Sequence, residues 1–219
     1  MCSPVNAYQE TLKRFVSVDP EEISARSGVF YNSELKIFEM EYFGSLYHID
    51  LNGRVRRKGD QDYETPFNDR TLMLQYLCEA SVVSPKGNWI SFLELPDGAH
   101  HYVPLQTGAM NPMAAHFGNN SRGFVEAAGA LGGRPLSLGD YSFYIPALPR
   151  VPLAVVLWEG DDEFPAKSNI LYDATAPLHL TTAALWVLGV ELAHKMIGHH
   201  NRDAGEEIAV TWLKGAGND

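Results

Sequence analysis

A run of acidic side chains, Asp161, Asp162 and Glu163, is the part of this sequence best suited to do chemistry, with Asp173 ten residues further on. Several carboxylate oxygens in one place can bind a hard divalent cation such as Mg²⁺ or Ca²⁺. Two carboxylates in different surroundings can instead act as a general acid and a general base. A third interpretation is a solvated turn whose aspartates only accept hydrogen bonds from nearby backbone N–H groups. The sequence leaves these three interpretations open.

Residues near this acidic turn complete a candidate site. Trp158 is expected to supply an apolar wall, and His179 a nitrogen donor. We predict a ligand-binding site made of Trp158, Asp161, Asp162, Glu163, Phe164 and Asp173. The predicted metal ligands are Asp161, Glu163, Asp173 and His179. If segments 151–158 and 168–173 pair as a hairpin, Asp173 lies away from the turn unless the connection folds back.

The only basic run in the chain consists of Arg54, Arg56, Arg57 and Lys58. Guanidinium groups bind phosphate and carboxylate well, so this run is a candidate for holding the anionic end of a ligand. The other interpretation is a solvated hairpin edge whose charges discourage pairing with further strands.

Histidines offer weaker metal candidates. Glu191 and His194 are three residues apart and share one face of a predicted helix. The Glu-x-x-His spacing occurs in di-metal helical bundles, but these need a second copy, and we find only one. His100 and His101 are adjacent on a predicted strand, so they point to opposite faces and do not easily bind one metal.

Charge and composition exclude several classes of protein. The chain has 17 basic and 27 acidic residues, a net charge of −10 at pH 7. We therefore expect no nucleic acid and no anionic membrane as partner, and instead a small molecule or another protein. Two cysteines are too few for a disulfide scaffold or for the ligands of an iron–sulfur cluster. With no apolar signal segment and no membrane-length apolar stretch, we expect a cytoplasmic protein.

The first half of the chain is predicted to combine a helix, a sheet and a second helix. The periodicity predicts a helix over 5–16 and a three-stranded antiparallel meander within 29–57. Asn52-Gly53 predicts a type I′ turn in that meander. Asn68 or Asp69 is expected to cap the helix that follows. Segments 89–95 and 100–105 are predicted to form a hairpin.

The second half is predicted to contain helices over 111–131, strands over 141–157 and 168–173, and a long helix over 181–197. The apolar residues of that helix cover most of its circumference, which indicates a central core helix or a dimer helix. An edge strand over 208–213 is a further expectation. The order predicts an α+β fold in which antiparallel sheets pack against helices, as a single compact domain over 1–219 with residues 201–219 as a C-terminal extension.

The segment 155–166, VVLWEGDDEFPA, followed by ILYD at 170–173, resembles the prokaryotic family called domain of unknown function 3786. Leu131-Gly132-Gly133, Gly139-Asp140 and the helix after Leu178 agree with this resemblance, which covers about residues 5–195. The resemblance implies a family found largely in anaerobes, some members of which carry extra cysteine motifs or sit in settings suggestive of corrinoid metabolism. It implies no activity, and this chain lacks the extra cysteines.

Three functions remain open at this point. The first is a small-ligand or cofactor-binding accessory protein, with a divalent metal or a tetrapyrrole-type cofactor as the concrete versions. A tetrapyrrole would use a histidine as axial ligand and the basic run 54–58 against its carboxylate tails. The second is a metal-dependent hydrolase that uses the acidic turn. The third is a non-catalytic scaffold, in which the helix over 181–197 forms an interface and a homodimer is allowed.

Overall fold

Two antiparallel sheets and seven helices make up the part of the chain that the structure describes. A computed structural model describes residues 4–60 and 62–203, with side chains for 7–60 and 62–201. The helices are α1 (Pro4–Phe15), α2 (Pro20–Ser27), α3 (Phe67–Glu79), α4 (Ala99–Leu105), α5 (Asn111–Phe117), α6 (Ser121–Ala130) and α7 (Thr182–Asp203). A wider π-helical turn over Gln106–Met110 joins α4 to α5. The predicted edge strand over 208–213 lies outside the described residues.

The first sheet is a meander of four strands. They are β1 (Phe30–Asn32), β2 (Ile37–Tyr42), β3 (Ser45–Asp50) and β4 (Val55–Arg57), in that order across the sheet. The predicted meander therefore has one strand more than expected. Leu35, within the segment predicted as the meander, lies in the β1–β2 turn and is 65% exposed.

The type I′ turn was predicted in the wrong hairpin. Positive φ at both central positions occurs between β2 and β3, at Phe43 (46°) and Gly44 (72°). In the β3–β4 turn only Gly53 has positive φ. The Asp50 carboxylate accepts hydrogen bonds from the backbone N–H groups of Asn52 and Arg54, which favours a longer turn ending in that glycine.

The second sheet has five strands and contains the hairpin expected from segments 151–158 and 168–173. Its strands are β5 (Trp89–Ser91), β6 (Arg134–Pro135), β7 (Tyr141–Leu148), β8 (Val151–Trp158) and β9 (Lys167–Asp173), in the order β5-β9-β8-β7-β6. Residues 151–157 are all buried, as their continuous apolar run predicted. The prediction of a strand over 100–105 is wrong, because β5 pairs with the distant β9 and residues 99–105 form α4.

One hydrophobic core joins both sheets, so the predicted α+β fold in a single compact domain is confirmed. Helix α7 runs through this core and packs against α3, α4 and α6. Leu185, Leu188 and Leu192 of α7 are fully buried within the chain itself. The interpretation of this helix as a central core helix is therefore confirmed, and these side chains are not available as an interface.

Candidate functional site

The acidic turn is closed by its own hydrogen bonds. One oxygen of Asp161, Oδ1, accepts from the backbone N–H groups of Glu163 (2.8 Å) and Phe164 (2.7 Å). The backbone N–H of Asp161 donates to the Phe164 carbonyl (2.9 Å). The hydrogen bonds of Asp161 therefore stabilise this turn. The side chains of Asp162 and Glu163 are exposed.

Asp173 lies at the opposite end of the hairpin from this turn. The β8–β9 register pairs Trp158 with Lys167 beside the turn and Leu153 with Tyr172 at the far end. Five residues of strand separate these two pairs, which is about 17 Å at 3.3 Å per residue. Asp161 and Glu163 therefore cannot share a metal ion with Asp173.

The Asp173 carboxylate is occupied by hydrogen bonds. Oδ2 accepts from the backbone N–H groups of Lys86 (3.0 Å) and Gly87 (2.6 Å), and Oδ1 accepts from the N–H (2.9 Å) and hydroxyl (2.6 Å) of Thr175. Burial alone would raise the pKa of this carboxyl, but the hydrogen bonds outweigh burial and hold the pKa below its ordinary value. Asp173 anchors the loop before β5 to the end of β9.

His179 is fully buried near Asp173. Its Nδ1 accepts a hydrogen bond from the backbone N–H of Ser81 (3.2 Å), and among the described residues its Nε2 has no partner. Burial, and to a lesser extent the Arg150 cation, lower the pKa of this imidazole. His179 is therefore a neutral core residue at the Asp173 end of the hairpin.

The predicted metal set of Asp161, Glu163, Asp173 and His179 is wrong as a single site, because the hairpin separates its members. Within the described ranges, no group of three or more His, Cys, Asp or Glu side chains is arranged to hold a metal ion. The hydrolase interpretation depended on that carboxylate set and loses its geometric basis.

Part of the predicted ligand site does come together. Asp161, Asp162 and Phe164 line an open groove of about 710 Å³ between the β8–β9 loop and α5. Asn111 of α5 and Asn119, in the turn after α5, line the other side. Trp158 is not among the lining residues. It is 39% exposed and packs instead against Gly139, where an added Cβ would lie 2.9 Å from the indole Nε1.

A buried cluster of charged residues was not predicted. Asp69, fully buried on α3, accepts hydrogen bonds from Lys195 Nζ (2.6 Å) and from the Tyr42 hydroxyl (2.7 Å). Burial raises the pKa of Asp69, and the Lys195 cation only partly opposes this. The expected capping role of Asn68 or Asp69 is wrong, since Pro66 occupies the N-cap position and both residues lie inside α3. The spacing of Asp69, Leu72 and Tyr76 could have placed Asp69 on the buried face.

Next to this cluster, Glu191 of α7 supplies a second carboxylate, which Asn68 of α3 and His194 of α7 contact. Asn68 Nδ2 donates to Glu191 Oε1 (2.8 Å), and His194 Nδ1 lies 3.8 Å from the same oxygen. Burial would raise the pKa of Glu191, but these neighbours outweigh it and the pKa falls below its ordinary value. The predicted Glu-x-x-His pair thus tethers α7 to the start of α3.

The basic run 54–58 divides into two pairs with different surroundings. Arg57 donates to the Ser45 hydroxyl (3.0 Å) and lies over the Tyr63 ring, and Lys58 Nζ lies 3.9 Å from a Glu39 oxygen. Arg54 and Arg56 are exposed and line a pocket of about 600 Å³. Helix α1, the β3–β4 turn, residues 63–65 and the first turns of α3 enclose this pocket.

A third arginine, Arg70 of α3, lines the same pocket. Its guanidinium carbon lies 5.4 Å from the centre of the Tyr8 ring and 5.2 Å from that of Phe67, so aromatic rings hold it in place. Its Nε–H has no acceptor among the described residues. The ion pairs found in the described part of the chain involve other cations and leave all three arginines of this pocket without a carboxylate partner. We call Arg54, Arg56 and Arg70 with their surroundings the arginine pocket.

Comparison with known proteins places the chain in a family without assigning an activity. The sequence model of a family described as a domain of unknown function (DUF3786) matches residues 19–195, most of the chain. The chain belongs to the DUF3786 family. No curated protein and no solved structure matches this chain.

The DUF3786 match includes most of the arginine pocket and all of the acidic turn. Arg54, Arg56, Tyr63 and Arg70 lie within the matched residues, whereas Tyr8 of α1 lies before them. Across the described residues, no helix has both the length and the apolar character that a membrane crossing needs.

Proposed function

We propose that this DUF3786 protein binds a small anionic molecule in the arginine pocket. The observation that carries the proposal is that Arg54, Arg56 and Arg70 line one pocket of about 600 Å³ without a carboxylate partner among the described residues. Ligand pockets of proteins have volumes of about 300–1,000 Å³, so the space suits a small molecule.

Electrostatics supports an anion as the ligand. Three guanidinium groups around one space repel one another, and a phosphate or carboxylate relieves this repulsion with paired N–H donors. The chain as a whole carries a net charge of −10, so unpaired arginines gathered in one place are unusual for its composition.

The two cofactor types expected from the sequence do not fit this pocket. The tetrapyrrole version expected a histidine as axial ligand beside the arginines. The described lining residues include neither histidine nor cysteine. A divalent metal ion would need several carboxylate oxygens, whereas the described lining has two carboxylates, Asp50 and Glu64. Oδ1 of Asp50 already accepts hydrogen bonds within the β3–β4 turn. The proposed ligand is therefore a free anion and not a metal or a tetrapyrrole.

The groove beside the acidic turn is the second candidate. It is favoured by the fact that Asp161, Asp162 and Phe164 face it together with Asn111 and Asn119. Carboxylate and amide oxygens beside an exposed aromatic ring suit a small cationic molecule. Binding there would be lost in Asp162→Asn and retained in the double variant Arg54→Ser/Arg56→Ser, which separates the two candidates.

The thermal stability of the protein in inorganic phosphate tests the proposal. A ligand that binds only the folded state raises the unfolding midpoint, by about 2–4 °C for each kcal/mol in a chain of this size. We expect phosphate to raise the midpoint of the wild type more than sodium chloride of equal ionic strength does. The double variant Arg54→Ser/Arg56→Ser should lose most of this difference. Arg122→Ser, which removes an exposed arginine on α6, should keep it. An equal phosphate effect in the wild type and the double variant would refute the proposal.

A further inference from the structure

We infer that the ligand of the arginine pocket carries two anionic groups, as a diphosphate does, one held by Arg54 and Arg56 and the other by Arg70. This inference rests on the proposed function and specifies the class of molecule bound. It is drawn from the elements that supply the three arginines and from the size and charge of the space between them.

The first anion subsite lies on the β3–β4 hairpin. Arg54 immediately precedes β4, Arg56 lies within β4, and both line the pocket. Residues two apart in an extended chain are about 7 Å apart. Arg57, the next residue of β4, is held by Ser45 and Tyr63. Two guanidinium groups at this spacing can converge on the oxygens of one phosphate or carboxylate.

The second subsite lies on helix α3. Arg70 reaches the pocket from a different element, and the rings of Tyr8 and Phe67 fix its guanidinium group. Its Nε–H has no acceptor among the described residues, so this donor still needs a partner. Because aromatic rings and not a carboxylate hold this cation, its charge is not neutralised where it stands.

The volume of the pocket favours two anionic groups over one. At about 30 Å³ for each water molecule of the liquid, a pocket of about 600 Å³ holds the equivalent of roughly twenty waters. A single phosphate is the size of a few waters and would contact one wall of this space. A molecule with two linked anionic groups can contact both the hairpin and α3 at once.

The charges of the residues that line the pocket limit the negative charge that its ligand can carry. Three arginines face the pocket together with two carboxylates, Asp50 and Glu64, so the described lining has a net charge of about +1 (three minus two). The chain carries −10 overall. A compact dianion or trianion is compatible with these charges. A long polyanion such as single-stranded DNA would be repelled outside the pocket.

Calorimetric titration with defined anions tests this inference. The probes are inorganic phosphate, pyrophosphate and succinate, each titrated at low ionic strength into the wild type, Arg54→Ser, Arg70→Gln and the control Arg122→Ser. We expect pyrophosphate to bind the wild type and the control at least tenfold more tightly than phosphate. Arg54→Ser and Arg70→Gln should each lose this advantage while still binding phosphate within a few-fold of the wild type.

The possible outcomes separate this inference from the proposed function. If neither phosphate nor pyrophosphate binds, both are refuted. If both anions bind the wild type equally, the two-anion inference is refuted and the proposed function stands. If succinate binds more tightly than pyrophosphate, the inference that the ligand is a diphosphate is refuted. If a thymidine oligonucleotide binds more tightly than pyrophosphate, the inference that the ligand is a small molecule is refuted. Should Arg70→Gln fail to fold, Arg70→Lys supplies the second subsite variant.

Discussion

Lys195 of α7 and Asp69 of α3 form a buried ion pair, with Nζ 2.6 Å from Oδ2, at the point where the two helices meet the first sheet. The side chain of Asp69 is inaccessible and that of Lys195 is 19% exposed. Tyr42 of β2 donates to the other Asp69 oxygen, so three elements distant in sequence meet at one carboxylate. The pair holds the central helix in register with the sheet that carries Arg54 and Arg56.

Removal of the cation from this pair should destabilise the protein strongly. Lys195→Met leaves Asp69 buried without its counter-charge, and breaking a buried pair in this way costs about 3–5 kcal/mol. Because Lys195 retains some exposure, we expect about 3 kcal/mol in the free energy of unfolding measured with urea. The double variant Asp69→Asn/Lys195→Met should recover part of this loss. A cost below about 0.5 kcal/mol for Lys195→Met would show that the pair has no structural importance.

The cost of Lys195→Met should also depend on pH. The pKa of Asp69 is raised in the folded state, and loss of the nearby cation raises it further. A carboxyl with a raised pKa in the folded state destabilises the protein as pH rises through its unfolded and then its folded pKa. The difference in unfolding free energy between variant and wild type should therefore be larger at pH 7 than at pH 4. A difference that grows towards acid pH would contradict this account.

Asp173 should have the opposite pH dependence. Its hydrogen bonds hold its pKa below the ordinary value, so its contribution to stability is present above about pH 4 and is lost as pH falls further. Asp173→Asn should lower the unfolding free energy at pH 7 by about 2 kcal/mol, since an amide oxygen replaces a charged acceptor. The variant should lose less stability than the wild type between pH 5 and pH 3. Parallel pH profiles for the two proteins would rule out this role.

His179 should make the stability sensitive to pH in the range below 7. Burial lowers its pKa in the folded state, so the unfolded chain takes up a proton first as pH falls through about 6.5. The contribution of His179 is therefore present above this pH and is lost below it. His179→Gln should reduce the fall in unfolding free energy between pH 7.5 and pH 5.5. A fall of the same size in His179→Gln and in the wild type would contradict the assignment.

Two glycines in helices offer a matched pair of tests for packing. A Cβ at Gly189 of α7 would lie 2.3 Å from the Tyr172 hydroxyl and 2.9 Å from Leu105, whereas a Cβ at Gly129 of α6 has no neighbour within 4 Å. Gly189→Ala should cost about 1–3 kcal/mol of unfolding free energy through overpacking. Gly129→Ala should stabilise by up to about 1 kcal/mol through helix propensity. Stabilisation by Gly189→Ala of the same size as that by Gly129→Ala would show that α7 does not pack closely against Tyr172 of β9.

The sequence predicted well the elements that local signals determine. The segment 141–157, predicted as strand, forms β7 and β8, and the helix predicted over 5–16 corresponds to α1 (Pro4–Phe15). The segment 100–105 was wrong because strand β5 pairs with β9, about eighty residues further along the chain. No local pattern indicates a partner at that distance.

The candidate site was predicted only in part, for a similar reason. Carboxylates close in sequence suggested one metal site, but a hairpin sends Asp161 and Asp173 to opposite ends. The basic run was recognised, yet which of its members are free depends on tertiary contacts: Lys58 meets Glu39 of β2, and Arg54 and Arg56 do not. Arg70 could not be assigned to this pocket, since it joins the hairpin arginines only when α3 packs beside the first sheet.

The most direct test of anion binding in the arginine pocket is a two-dimensional ¹H–¹⁵N spectrum of the arginine Nε–H groups during titration with inorganic phosphate. Arg70 Nε–H has no acceptor among the described residues, whereas Arg122 Nε–H already donates to Glu126 Oε1 at 2.8 Å and serves as an internal control. We predict saturable shifts for Arg54, Arg56 and Arg70 and no change for Arg122. Spectra in which none of the three moves, or in which Arg122 moves as much as Arg70, would contradict the proposal.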